Sequence, residues 1–201
     1  MCAAVGGVTL IVAVLATQGA WYAGYVSEAG VAGEPYRDAY RLGIFGMAAA
    51  LLLLAPAVNR LAVLPAVVLL ASGLLAGVSG TVSCSPGCPL PPYESPTPAD
   101  LVHGGTSVAG VALCGLAILL LALGRVDTDL RRLSRVALGP VVVLGIANAY
   151  GIAFVGRGHL TSIAERVMLL VIVAWIVAAA LSLALMPSQS PGRRGQAPHP
   201  A

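Results

Sequence analysis

The sequence predicts an all-α polytopic membrane protein, a bundle of six transmembrane helices, and three observations carry that prediction. Of 201 residues, 58% are apolar and only 9% are charged, against about 25% charged in an ordinary soluble domain. The apolar residues gather in blocks of roughly twenty, the length a helix needs to cross about 30 Å of hydrocarbon. The blocks are continuous rather than alternating, which favours helices over barrel strands, because every backbone polar group must be paired inside a membrane.

Six blocks qualify: residues 5–22, 42–58, 61–82, 106–123, 136–155 and 167–186. None holds a Lys, Arg, Asp or Glu at its centre. The first is the one to test as a signal peptide. It has no basic segment before it, and Gln18-Gly19-Ala20 runs straight into Trp21 and Tyr22 without a small-x-small site, so it reads as a retained helix. Trp21, Tyr22 and Tyr25 then form an aromatic belt at the outer interface. The six helices occupy residues 1–186, with an outer loop at 83–105. Residues 187–201 are rich in Pro, Gly, Ser and Gln; they have nothing to bury and are expected to be a disordered cytoplasmic tail.

Arginine positions set the orientation. Arg60, Arg125, Arg131, Arg132, Arg135, Arg193 and Arg194 fall on one side of these spans, and Arg37, Arg41, Arg157 and Arg166 on the other. The positive-inside rule places both termini in the cytoplasm of a multi-pass plasma-membrane protein. Acidic residues sort the opposite way, with Asp127 and Asp129 inside and Glu28, Glu34, Asp38, Glu94, Asp100 and Glu165 outside. The net charge of +3 is the ordinary cytoplasmic bias and not a nucleic-acid footprint. Membrane lipids are the expected partners, the basic 124–135 connection facing anionic headgroups; nothing in the sequence names a protein partner. Related halves, a frequent signature of transporters, are not apparent across the outer loop.

The outer loop is the most distinctive stretch. It has no Lys or Arg, and its prolines predict a stiff, largely extended lid. Cys84 and Cys88 flank a Pro86-Gly87 turn, and a local disulfide is the reading for an oxidising compartment, with free thiols the alternative. Cys114 is a packing residue in the fourth span. Asp100, His103 and Ser107 then share one helical face, the arrangement with which a carboxylate orients an imidazole for acid–base chemistry. Thr97-Pro98-Ala99-Asp100 also spells a capping box, which explains Asp100 structurally.

A second cluster precedes the sixth span. Ser162 and Glu165 spell another capping box, while Arg157, between two glycines, and Arg166 are candidates to contact a lipid headgroup phosphate. His159 and Glu165 lie on the same side of the membrane as His103 and Asp100. The candidate catalytic set is therefore Asp100, His103, His159 and Glu165. No cofactor is expected; a divalent metal at His103 and His159 would need Asp100 or Glu165 as a third ligand. In the first outer loop, Arg37, Asp38 and Arg41 suggest a short interfacial helix leading into the second span. Gly43 and Gly46, and Gly73, Gly77 and Gly80, suit close helix packing. Asn148 and Tyr150 are polar positions near the outer half of the fifth span, candidates for the floor of an outer pocket, with a single interhelical hydrogen bond the more ordinary role.

Val26-Ser27-Glu28, Tyr36-Arg37 with Leu42-Gly43, Ser79-Gly80 and His103 together resemble the family of uncharacterised multi-pass membrane proteins catalogued as domain of unknown function 998. The Cys-Ser-Pro-Gly-Cys-Pro-Leu-Pro-Pro-Tyr loop is similar to an actinobacterial branch of it. The resemblance implies six helices in a bacterial plasma membrane and carries no activity or catalytic residue with it. Three functions follow as expectations. The first is an integral membrane protein binding a lipid or a partner at its outer face. The second is a membrane-embedded enzyme acting on a lipid or isoprenoid through the Asp/His/Glu cluster, with Arg157 and Arg166 anchoring the headgroup. The third is a small-molecule transporter, weakened by the absence of charges within the spans.

Overall fold

Two helices of this protein begin where a side-chain cap is available, several residues outside the apolar blocks. The computed structural model describes residues 1–16 and 24–185. It contains α1 (Cys2–Ala16), α2 (Arg37–Asn59), α3 (Val63–Thr81), α4 (Pro98–Leu123), α5 (Thr128–Tyr150) and α6 (His159–Leu185), with no strand among the described residues. A 3₁₀ turn at Val26–Gly30 precedes α2, and α5 runs on into one π turn at Gly151–Val155. Five of these helices are long and apolar enough to span a membrane, α5 counted with its π turn. The expected belt residues Trp21 and Tyr22 and the 187–201 tail, with Arg193 and Arg194, lie outside the described residues.

Three boundaries differ from the sequence expectation for one reason. Hydropathy marks the hydrocarbon-facing stretch, whereas hydrogen bonding marks the helix. α4 starts at Pro98 because Asp100 N–H donates to Thr97 Oγ1 at 3.3 Å while the Asp100 carboxylate accepts Thr97 N–H at 2.7 Å. Residues 98–105, expected in the loop, are therefore helical. α5 starts at Thr128 because Asp127 accepts the amides of Asp129 (2.9 Å) and Leu130 (3.3 Å). α2 starts at Arg37, so the expected interfacial helix is simply its first turn.

Consecutive helices pack as antiparallel neighbours, and α6 returns against α5, α2 and α1 to close the ring. One end, here the lid end, carries the 3₁₀ turn, the 82–97 loop and the 156–158 connection. In the opposite half the ring is filled by a solid apolar core that includes Leu54, Val58, Leu69, Ile118, Leu121 and Ile176. A polar contact is set into that core: Trp175 Nε1 donates to Ser134 Oγ at 3.2 Å, and that hydroxyl donates to Leu130 O at 2.8 Å. Outward positions such as Leu53, Leu64, Leu74, Val143 and Ile146 are exposed, as lipid-facing residues are and as a soluble fold would avoid.

The α1–α2 contact depends on small residues. A Cβ at Gly46 would lie 2.8 Å from Gly6 Cα, and one at Gly43 would lie 2.9 Å from Leu10 N, both backbone atoms that have no room to move aside. Without a hydrophobic driving force between helices in lipid, this closeness is what dispersion needs. Gly46→Val is expected to lower stability by about 1–3 kcal/mol through overpacking. Gly77→Ala, where a Cβ meets nothing within 4 Å, should leave it unchanged or raised by about 0.5–1 kcal/mol; thermal unfolding of both variants in detergent measures the contrast.

Candidate functional site

The end of α3 is where the site begins. A helix terminus leaves its last carbonyls without partners, and here two side chains from neighbouring helices supply them. Arg41 donates through Nε to Gly80 O at 3.0 Å and through Nη2 to Thr81 O at 3.4 Å. His103 Nδ1 lies 2.7 Å from Val82 O and 3.0 Å from Ser79 O. Both are carbonyl acceptors, so Nδ1 carries the proton, and in the neutral ring Nε2 is left as a lone-pair acceptor. His103 is only 4% exposed, and its Nε2 has no hydrogen-bond partner.

One helical turn before His103, Asp100 fixes the lid. It is 1% exposed, a burial that a carboxylate tolerates only with its lone pairs occupied. It accepts Ser85 N–H at 2.7 Å, Ser85 Oγ–H at 2.8 Å, Thr97 N–H at 2.7 Å and Thr97 Oγ1–H at 2.7 Å. The lid so held is folded into turns, not extended as its prolines suggest. Cys84 and Cys88 form the disulfide, and Cys88 N–H closes the turn on Ser85 O at 2.9 Å. Gly87 takes φ 84° there, a conformation that glycine adopts without penalty. A second turn has Glu94 accepting Leu90 N–H at 3.2 Å, and Tyr93 Oη–H reaches Ala153 O at 3.0 Å. The disulfide packs with Tyr25, Val31, Leu90 and Ile152.

The first loop is strapped to the start of α6 by the other predicted residues. Glu28 accepts Arg157 Nε–H at 2.8 Å, pairs with Arg157 Nη2 as well, and accepts Tyr25 N–H at 2.7 Å. Glu165 accepts Val26 N–H at 2.9 Å. Arg166 donates to Gly24 O at 2.9 Å and Ser162 O at 3.0 Å. The predicted Ser162–Glu165 capping box does not form. α6 already begins at His159, so Ser162 bonds back to Gly158 O at 2.8 Å, and Glu165 is free to hold the loop. Arg157 and Glu28 are partly exposed, so their pair contributes on the order of 1 kcal/mol or less. Burial, with the Glu94 and Glu165 carboxylates, raises the Tyr25 phenol above its ordinary titration range; Arg157 opposes this and Glu28 adds to it.

Between lid and core lies a cavity of about 310 Å³, at the small end of ligand pockets. Every helix contributes a wall residue: Leu10, Met47, Ser72, His103, Asn148 and Glu165. The structure thus brings Asp100, His103, Ser107, Asn148 and Glu165 to one cavity and leaves the exposed His159 outside its wall. Among the described residues no three His, Cys, Asp or Glu side chains are grouped to hold a metal. Asn148 Oδ1, like His103 Nε2, is buried without a partner. Ser72, Ser79 and Ser107 line the cavity too, and Ser72 and Ser79 had not been singled out for it. Their signal is in the sequence, since residues seven apart share a helix face, but serine in an apolar run reads first as packing.

A family model described as "Protein of unknown function (DUF998)" matches residues 1–182. Neither a curated protein nor a solved structure matches the chain. Two outcomes check the lid. Asp100→Ala should lower stability by about 3 kcal/mol by leaving buried donors unpaired, with Asp100→Asn intermediate, in detergent melting curves. Cys84 and Cys88 should resist a thiol reagent in the folded protein and react only after a reductant is added, as read by mass.

Proposed function

The chain belongs to the DUF998 family of proteins of unknown function, and from that premise we propose that this integral membrane protein binds a lipid-like amphiphile inside its bundle, beneath the lid. One observation carries the reading. Two buried polar atoms, His103 Nε2 and Asn148 Oδ1, have no partner and lie in the wall of the same otherwise largely apolar cavity. An unpaired buried polar atom costs about 1–3 kcal/mol, and a bound molecule that satisfies both returns that energy as affinity. An apolar chamber with a few converging polar groups is the usual form of a small-molecule site.

The proposal moves the binding surface from the outer face, where the sequence pointed, to the space under it. Asp100 supports binding and not catalysis, because all four of its contacts are donors from the lid and the α4 cap. Arg157 and Arg166 serve the same end by holding the first loop. We further propose that the lid faces the outside of the plasma membrane. The basic residues Arg60, Arg125, Arg131, Arg132 and Arg135 sit at the opposite end, where the positive-inside rule puts the cytoplasm and with it both termini. The Cys84–Cys88 disulfide at the lid end agrees with an oxidising compartment.

Gly145 lines the cavity, and a Cβ there meets nothing within 4 Å, so a larger side chain fits without a clash. Native mass spectrometry of the protein purified from its own membranes should show a bound amphiphile in the wild type and its loss in Gly145→Leu, with the variant at least as heat-stable. A wild type that carries no such adduct contradicts the reading.

A further inference from the structure

The polar atoms of the cavity specify the head of its occupant, an inference that rests on the binding function proposed above. His103 Nδ1 is committed to carbonyls at the end of α3, so Nε2 offers only a lone pair in the neutral ring. Asn148 Oδ1 is likewise a buried acceptor without a partner, while the Nδ2 of the same amide is a donor. Three serine hydroxyls of the wall, those of Ser72, Ser79 and Ser107, have already used their protons. Ser72 Oγ donates to Gly110 O at 2.7 Å, and Ser107 Oγ donates to His103 O at 2.8 Å. Ser79 Oγ, 2.6 Å from Ser107 Oγ, is then the donor of that pair. Ser72 and Ser79 thereby turn lone pairs, not protons, towards any further partner.

The wall also lacks a cation. Among the described residues no arginine lines the cavity, and the sequence contains no lysine; at the lid end Arg157 pairs with Glu28, Arg41 and Arg166 donate to backbone carbonyls, and Arg37 donates to Ser83 Oγ. Two carboxyl side chains, Asp100 and Glu165, do lie in the wall. An anionic head would meet acceptors and carboxyl groups with no positive charge to offset its desolvation. A hydroxyl or amine head supplies the protons that His103 Nε2 and Asn148 Oδ1 lack. We infer that the ligand is an amphiphile with a hydrogen-bond-donating head and no negative charge, an alcohol or amine, and not a phosphate- or carboxylate-headed lipid.

The test uses the full chain, delipidated in an amine-oxide detergent whose head has no donor. Dodecanol, dodecylamine, dodecyl phosphate and dodecanoate are added in turn, with bound mass and melting temperature as readouts. Dodecanol or dodecylamine should bind at least tenfold more tightly than either anion, and comparison of the two shows which donor is preferred. Asn148→Leu breaks no hydrogen bond within the protein at Oδ1, so it should fold normally and lose about tenfold in affinity for the donor-headed probe. His103→Phe should lose at least as much, but it also uncaps α3, and Asn148→Leu is the cleaner arm. Anions that bind as well as the alcohol, in wild type but not in Gly145→Leu, overturn the inference and leave the binding site standing. Failure of all four probes to bind the folded protein overturns both.

Discussion

The carbonyls at the end of α3 must be paired inside a bundle where little water is at hand, and His103 is the side chain on which that pairing turns. Its Nδ1 proton serves Val82 O and Ser79 O, while Arg41 serves Gly80 O and Thr81 O. The cap joins α3 to α4 and α2 at the level where the lid begins. It also fixes the ring's tautomer and orientation, in the way an outer hydrogen bond sets a catalytic or ligating histidine. A structural duty at one nitrogen thereby decides the chemistry of the other. Because α4 is helical from Pro98, the same turn presents Asp100 to the lid and His103 to the cavity.

Most of the bonded charged residues of the lid end share one pattern. Five of them bind backbone or another charge of the protein and so convert loops into walls: Asp100 for the 82–97 loop, Glu165 and Arg166 for the first loop, Arg157 through Glu28. The opposite half is apolar and filled, with Trp175 and Ser134 supplying one internal polar pair. A chamber survives between a strapped roof and a packed floor. Two glycine-dependent close approaches of α1 to α2 draw the ring together on one side.

The helix count and the apolar faces were legible because period and length are local properties of the sequence. So was the Asp100 cap, since its four-residue signature is complete within one turn. The start of α6 was not. Ser162 and Glu165 carry the same signature, but His159 begins the helix earlier and Glu165 turns to Val26, a partner 139 positions away that no local pattern announces. The proline loop misled for a related reason. Proline restricts each residue to extended or turn geometry without choosing between them, and the choice came from the disulfide and from Asp100. Of the two polar residues noted in the fifth span, Asn148 lines the cavity and Tyr150 is exposed outside its wall, whereas Ser72 and Ser79 were hidden by their ordinary frequency in packed helices. His159, grouped in the sequence with His103, is exposed at the first residue of α6 and outside the cavity wall.

The central claim is that the two unpartnered acceptors under the lid belong to a ligand site. A high-resolution cryo-electron microscopy map of the protein prepared from its native membrane tests it most directly. The account predicts elongated density in the cavity, its polar end within hydrogen-bonding distance of His103 Nε2 and Asn148 Oδ1. Density for isolated waters alone at those two atoms, or helices closed together so that no chamber remains, would contradict it.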